Sequence, residues 1–180
     1  RKACGFDAID GAGAVRNWIA ENKTSFAPML RPAAATMKKA IVPYGDATHF
    51  MTVASAEQRA REATQWWDEF CSDNNIELGI GAWGEKRTVY TDKAFESRFI
   101  EGQRRIHHLG VDLFMPAGTP LYTPLAATVI SVEIEHEPLG YGGLIKLEHR
   151  PDGCPPFVTL WGHMAHEALE RLQPGQVLQA

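Results

Sequence analysis

The chain has 180 residues, of which 44% are hydrophobic and 22% are charged, and its net charge is -4 with histidine counted as neutral. This balance is typical of a globular domain. The absence of a basic run argues against a nucleic-acid partner. No apolar stretch approaches the roughly 20 residues needed to cross a bilayer, so we expect no membrane span.

Residues 1–50 have a mixed pattern. The stretch GAVRNWIAE predicts a short helix, and Pro28, Pro32 and Pro43 predict loops after it. We expect residues 1–50 to be a linker or flanking segment. The chain starts with Arg1 and stops in LQPGQVLQA, and we expect it to be a piece of a longer polypeptide.

A helix is predicted from about Ala56 to Cys71. Ser55 and Gln58 have the spacing of a capping box. One apolar stripe follows at spacings of three and four, formed by Ala56, Ala60, Ala63, Trp67 and Phe70. The next stretch, IELGIGAWGEKRTVYT, predicts a strand, a glycine-rich turn and a strand. Residues 51–103 are therefore expected to form a subdomain of a helix and a β-hairpin.

From His107 onward the hydrophobic period changes to two. In ATVISVEIEHE, Thr128, Ile130, Val132 and Ile134 are expected to share one face. LIKLEH and FVTLWGH predict two further strands, separated by turns rich in Pro, Gly and Asp. The predicted fold class is α+β, with a partly helical N-terminal segment followed by an antiparallel β-sheet domain over residues 104–180.

The segment HHLGVD combines an imidazole and a carboxylate four residues apart. In an extended chain alternate residues share a side, so His108 and Asp112 are expected to converge, with Gly110 leaving room between them. Zinc binds histidine nitrogen and carboxylate oxygen. The spacing alone also fits two polar residues on the surface of a strand.

An ordered series of motifs surrounds this segment. It consists of His108-Leu-Gly-Val-Asp112, Pro-Ala-Gly118-Thr-Pro120, Gly140-Tyr-Gly142, Leu-Glu-His149 and Thr159-Leu-Trp-Gly-His163. The series resembles that of the lysostaphin/LytM-type zinc metallopeptidases over residues 104–180. The resemblance implies a compact antiparallel β scaffold of the duplicated hybrid motif type and a hydrolase that cuts peptide cross-links of bacterial peptidoglycan.

The resemblance also implies roles for individual residues. His108 and Asp112 match two zinc ligands, and His163 matches a catalytic histidine that hydrogen-bonds the attacking water or the developing oxyanion. His149 and His166 are expected to be non-catalytic. The family's third ligand comes from a His-x-His pair, which this sequence lacks, so the third zinc ligand is expected beyond residue 180.

The region GIGAWGEKRTVYT, followed by RRIHHLGVDLF, is similar to a junction in multidomain bacterial proteins. Those proteins fuse a phosphotransferase-like kinase, a LytM-type domain and a class III aminotransferase. This second resemblance implies that other domains of a parent polypeptide are partners. It also implies a cytoplasmic location, in agreement with the widely spaced Cys4, Cys71 and Cys154 and the lack of a secretory signal. The bacterial cell envelope is the alternative.

Two functional hypotheses of different classes remain open. The first is a zinc metallopeptidase-type hydrolase acting on a peptide or peptidoglycan-like substrate. The second is a non-catalytic LytM-like scaffold or binding module, because a fold does not fix a function. A phosphocarrier with a reactive histidine is a third possibility, which the HLGVD segment does not favour.

Overall fold

A computed structural model describes residues 9–42, 56–87, 93–97, 99–136 and 140–180. The fold is α+β, as the sequence predicts, with a few helices and two sheets. The chain forms two compact units: Pro32–Thr119 is one, and Arg1–Arg31 together with Pro120–Ala180 is the other. The predicted domain boundaries after residues 50 and 103 stay predictions. Within the described ranges, no helix is both long and apolar enough to cross a membrane.

The unit Pro32–Thr119 contains a three-stranded sheet and one long helix. The strands are β1 (Lys39–Ile41), β2 (Leu78–Gly81) and β3 (Asp112–Phe114), and the helix is α2 (Ala56–Asn74). The central strand β2 runs parallel to β1 and antiparallel to β3. A 3-10 turn, Lys93–Phe95, lies between β2 and β3 in the chain.

Helix α2 confirms the predicted helix and extends it by three residues, to Asn74. Ser55 of the predicted capping box lies outside the described residues, as do the side chains of the alanines in the predicted stripe. Trp67 is buried as predicted, with its ring beside Phe114 of β3 at 6.0 Å between centroids. Gly79 of β2 leaves space for that ring, because a Cβ there would lie 2.2 Å from Trp67 Cζ2.

The predicted β-hairpin after α2 lies only partly within the described residues. The first predicted strand is β2, whereas most of the second predicted strand lies outside the described residues. Its described beginning forms an antiparallel bridge between Lys86 and His107. The chain after β2 therefore pairs with the segment that carries His108, and β2 has β1 and β3 as its neighbours.

The second unit is built on an antiparallel sheet of four strands, in the order β6-β5-β4-β7. The strands are β4 (Ala127–Ile134), β5 (Gly143–His149), β6 (Phe157–Met164) and β7 (Val177–Leu178). Helix α1 (Ala12–Asn22) confirms the short N-terminal helix, and a 3-10 turn, Lys23–Ser25, follows it. Trp18 of α1 donates a hydrogen bond from Nε1 to the Asp152 carbonyl oxygen at 3.0 Å. A short helix, α3 (His166–Leu169), follows β6.

The core of this unit lies on one face of the four-stranded sheet. It is formed by buried Ala127, Val129, Ile145, Leu147 and Leu169. On β5 the predicted alternation is confirmed, since Ile145 and Leu147 are buried.

On β4 the predicted apolar face was wrong except at Val132. Ala127 and Val129 are buried, whereas Ile130 and Ile134 are exposed. The pairing with β5 shifts between Val129 and Ser131, and Val132 then packs against the core. A β-bulge of this kind changes which residues face inward, and strict alternation cannot anticipate it.

Candidate functional site

The segment that carries His108 is held by backbone hydrogen bonds to residues 84–87. The His108 amide donates to the Glu85 carbonyl at 2.9 Å, and the Gly84 amide donates to the His108 carbonyl at 2.6 Å. The Arg87 amide donates to the Ile106 carbonyl at 2.7 Å. The pairing places the side chains of Arg87 and His108 close to each other, on the approach to β3.

Strand β3 places Asp112 beside the same residues. Asp112 pairs with Gly81 of β2 across the sheet. Its Oδ1 lies 3.3 Å from Nε2 of His108, so the convergence predicted from the alternating pattern is present. A Cβ on Gly110 would lie 3.0 Å from the same Nε2, which explains why the position between them is glycine.

A buried arginine binds both predicted site residues. Arg87 Nη2 donates to Asp112 Oδ2 at 2.5 Å and lies 3.0 Å from His108 Nδ1. The Nε atom of the same guanidinium donates to Glu85 Oε2 at 3.3 Å. The Arg87 side chain is 8% exposed, whereas that of Asp112 is 28% exposed. One cation therefore connects two carboxylates and an imidazole at a site that solvent reaches from the Asp112 side.

The His108 ring has two alternative hydrogen-bonding arrangements. A guanidinium can only donate, so the contact with Arg87 requires Nδ1 to accept and puts the ring proton on Nε2, facing Asp112. Nδ1 also lies 3.3 Å from the carbonyl oxygen of Ala82. With the proton on Nδ1, the ring donates to Ala82 and leaves the Nε2 lone pair directed towards Asp112. This second arrangement is the one that a metal ligand requires, and it gives up the hydrogen bond between Arg87 Nη2 and Nδ1, because both nitrogens would then be donors.

The spacing of the two facing atoms fits a metal ion. Two ligand atoms at about 2.0–2.1 Å from a tetrahedral zinc ion lie about 3.3 Å apart. The Nε2–Oδ1 distance of 3.3 Å matches that separation, and it equally fits the direct contact of the imidazole with the carboxylate. The pair supplies one edge of a coordination polyhedron. In the part of the chain that the structure describes, no group of three or more His, Cys, Asp or Glu side chains could hold a metal.

His163 belongs to the other compact unit, at the end of β6. The β5–β6 pairing shifts between Gly143 and Ile145, so that two residues, Gly162 and His163, oppose the single residue Leu144. His163 has a φ of 58°, which is uncommon for a residue other than glycine. Its amide donates to the Tyr141 carbonyl at 2.7 Å, and its side chain is exposed. A β-bulge changes the direction in which a side chain leaves the strand, and the catalytic role predicted for His163 stays a prediction.

His149 is buried in the core of the same unit and makes two hydrogen bonds. Nδ1 lies 3.1 Å from the Ala126 carbonyl oxygen, and Nε2 lies 2.9 Å from Thr159 Oγ1. Burial lowers the pKa of His149, against the smaller opposing effect of the hydrogen bond to Ala126. His149 therefore lies in the interior of this unit, with both ring nitrogens in hydrogen bonds. His166, on α3, is exposed.

Sequence patterns did not reveal Arg87, Glu85 or Gly81 as parts of the site. The Glu85-x-Arg87 spacing is compatible with a shared face on an extended segment. Nothing in it identifies a partner 21 or 25 residues away. The sequence showed the two glycines of Gly79-Ile-Gly81 but not their role. Gly79 leaves space for the Trp67 ring, and Gly81 leaves space for the ion pair between Arg87 and Asp112.

Comparison with known proteins finds no matching family model, no matching curated protein and no matching solved structure.

Proposed function

We propose that the chain carries a zinc metallopeptidase-type hydrolase domain with a LytM-type scaffold. It would cleave a peptide or amide bond, with peptidoglycan fragments as the first substrate class to test, as one part of a larger multidomain protein. The observation that supports this most directly is the 3.3 Å separation of His108 Nε2 and Asp112 Oδ1, which fits two ligands of one metal ion.

In this proposal each residue has a separate task. His108 and Asp112 would hold the metal through Nε2 and Oδ1, while Ala82 would accept a hydrogen bond from Nδ1 and fix the ring, in place of the contact with Arg87. Bound zinc would supply an activated water and a Lewis acid. His163 would hydrogen-bond the attacking water or the developing oxyanion. The third ligand is proposed to lie beyond residue 180.

Removal of Asp112 tests the proposed metal site. In the full-length protein, Asp112→Ala is expected to lower Zn²⁺ affinity by more than the roughly 10–100-fold that loss of a supporting residue costs. Competition with a chromophoric chelator measures the affinity. Asp73→Ala, which removes an exposed carboxylate of α2 in the same unit, is the matched control and should bind zinc like the parent protein. A parent protein that binds no zinc would contradict the proposal.

His163 should separate catalysis from metal binding. His163→Ala is expected to keep zinc affinity within about twofold and to reduce hydrolysis by about 10²–10⁴-fold, the usual contribution of a positioned acid or base. Release of soluble fragments from purified peptidoglycan, and cleavage of a pool of short peptides, are the two activity measurements. If zinc affinity falls as strongly as in Asp112→Ala, His163 is a ligand and its assigned role is wrong.

A non-catalytic scaffold or binding module is the second candidate. Two observations favour it. Arg87 already contacts both predicted zinc ligands, His108 and Asp112. In addition, the described residues place no third metal-ligating side chain beside them. In that case the partners would be other domains of the parent polypeptide, in the cytoplasm. A protein that binds no zinc, and whose folding is unaffected by a chelator, would favour this candidate.

A further inference from the structure

We infer that Arg87 is a positioning residue that fixes the plane of the Asp112 carboxylate, so that one oxygen is bound by the guanidinium and the other faces His108 Nε2. This inference rests on the proposed zinc site and adds a residue that the sequence motifs do not include. It concerns how the ligand pair is prepared, and Arg87 is not itself a ligand, because a guanidinium has only donors.

The carboxylate of Asp112 is divided between two partners. Oδ2 accepts from Arg87 Nη2, while Oδ1 lies opposite His108 Nε2. Without the guanidinium, rotation about the Cβ–Cγ bond would cost little, because this torsion is broad in carboxylates. The ion pair therefore selects one orientation, and in that orientation the lone pairs of Oδ1 remain available on the side of the imidazole.

Arg87 is itself fixed from several sides. Its side chain is almost fully buried, and Glu85 accepts from its Nε atom. Its backbone amide is bound to Ile106, in the segment that leads to His108. Gly81 leaves the required space, because a Cβ there would lie 2.7 Å from Arg87 Nη2 and 3.1 Å from Asp112 Oδ2. A side chain at position 81 would push the ion pair apart.

If Arg87 had only a structural role, replacing it with lysine would have a different effect on zinc binding. If Arg87 only neutralised Glu85 and Asp112, another buried cation would serve equally well. Lysine keeps the charge, but it presents a single ammonium group instead of a planar fork. It cannot bind Glu85 and Asp112 with the geometry of Nε and Nη2. Arg87→Lys therefore separates the charge of the residue from its geometry.

The first test is the Arg87→Lys variant of the full-length protein. Zn²⁺ affinity, measured by competition with a chromophoric chelator, is expected to fall by about 10–100-fold. The visible absorption of the Co²⁺-substituted protein is expected to change, and the melting temperature in excess chelator is expected to stay close to that of the parent. Arg150→Lys, in an exposed pair with Glu148, is the matched control and should alter none of the three.

The second test disturbs the ion pair without altering any charged residue. Gly81→Ala places a methyl group against Arg87 Nη2 and Asp112 Oδ2. Its zinc affinity should fall in the same range as that of Arg87→Lys. Combining both changes should cost less than the product of the two separate effects, because both act on one contact.

The outcomes distinguish this inference from the proposed function. A parent protein that binds no zinc contradicts both. Zinc binding by the parent that survives unchanged in Arg87→Lys and Gly81→Ala overturns the positioning role and leaves the metal site intact. Tighter zinc binding by Arg87→Lys also overturns it, and shows that the guanidinium competes with the metal.

Discussion

Replacing Trp67 with alanine is expected to lower the free energy of unfolding by about 3–5 kcal/mol. Trp67 is buried, stacks on Phe70 at 5.6 Å between ring centroids, and lies beside Phe114 of β3. Its removal takes away an aromatic side chain of α2 that packs against the sheet. Urea denaturation followed by far-ultraviolet circular dichroism measures the change. A loss below about 1 kcal/mol would show that α2 does not depend on this contact.

The packing of Trp67 against β2 can also be tested by changing Gly79. A Cβ at Gly79 would lie 2.2 Å from Trp67 Cζ2, so Gly79→Ala is expected to cost about 1–3 kcal/mol through overpacking. In the double variant with Trp67→Ala the new methyl group occupies the vacated space, and the two losses should not add. Gly13→Ala, whose Cβ would meet no atom within 4 Å in helix α1, is the control and should not destabilise the protein. Additive losses would contradict the packing described for Trp67.

The packing of Trp67 also bears on the candidate site. Phe114, beside the Trp67 ring, is two residues after Asp112 on β3, and Gly79 is two residues before Gly81 on β2. Gly79 pairs with Phe114, and Gly81 pairs with Asp112. The tryptophan thus holds the same two strands that bring Asp112 next to Arg87. If the proposed zinc site is present, Trp67→Ala should therefore weaken zinc binding as well as lower the free energy of unfolding.

The sequence predicted those parts of the fold that depend on local periodicity. The stripe through Trp67 identified α2, and the alternation in LIKLEH identified the buried side of β5. The prediction went wrong on β4, where a bulge after Val129 changes the inward-facing residues. A bulge arises from pairing with a neighbouring strand, and a single segment carries little information about that pairing.

The candidate site, like the fold, was only partly predictable from the sequence. His108 and Asp112 were predictable as a pair because four residues of nearly extended chain return two side chains to one side. Arg87 was not predictable, because its contacts depend on the bridge between Lys86 and His107 and on the pairing of β2 with β3. Such long-range pairings are set by tertiary packing. The position of His163 in a bulge, with a φ of 58°, was equally hidden from the sequence pattern.

His149→Phe is the second substitution with a large expected effect. His149 is 1% exposed, and its hydrogen bonds form a directed chain. Trp161 Nε1 donates to Thr159 Oγ1 at 2.8 Å, the Thr159 hydroxyl donates to Nε2, and Nδ1 donates to the Ala126 carbonyl. Phenylalanine keeps the ring volume and the stacking on Phe157, but it removes two part-buried hydrogen bonds, each worth about 0.5–1.5 kcal/mol.

The directed chain also explains the pH dependence that we expect. A protonated His149 would have to donate from Nε2 to Thr159 Oγ1, which already accepts from Trp161, and the threonine proton would lose its acceptor. Burial lowers the pKa of His149 in the folded state, so below the unfolded value of about 6.5 the unfolded chain binds a proton that the folded chain does not. The stability from His149 is therefore present above about pH 6.5 and is lost as the pH falls through the folded pKa.

Urea denaturation at pH values between about 7.5 and 5, followed by tryptophan fluorescence, tests both statements. The free energy of unfolding of the parent protein should fall more steeply below about pH 6.5 than that of His149→Phe, so the difference between the two proteins should shrink on acidification. His166→Phe, on the exposed start of α3, is the matched control and should retain the steeper dependence of the parent. Parallel profiles for the parent and His149→Phe would mean that His149 accepts a proton in the folded state as easily as in the unfolded chain, and the directed hydrogen-bond chain would then be wrong.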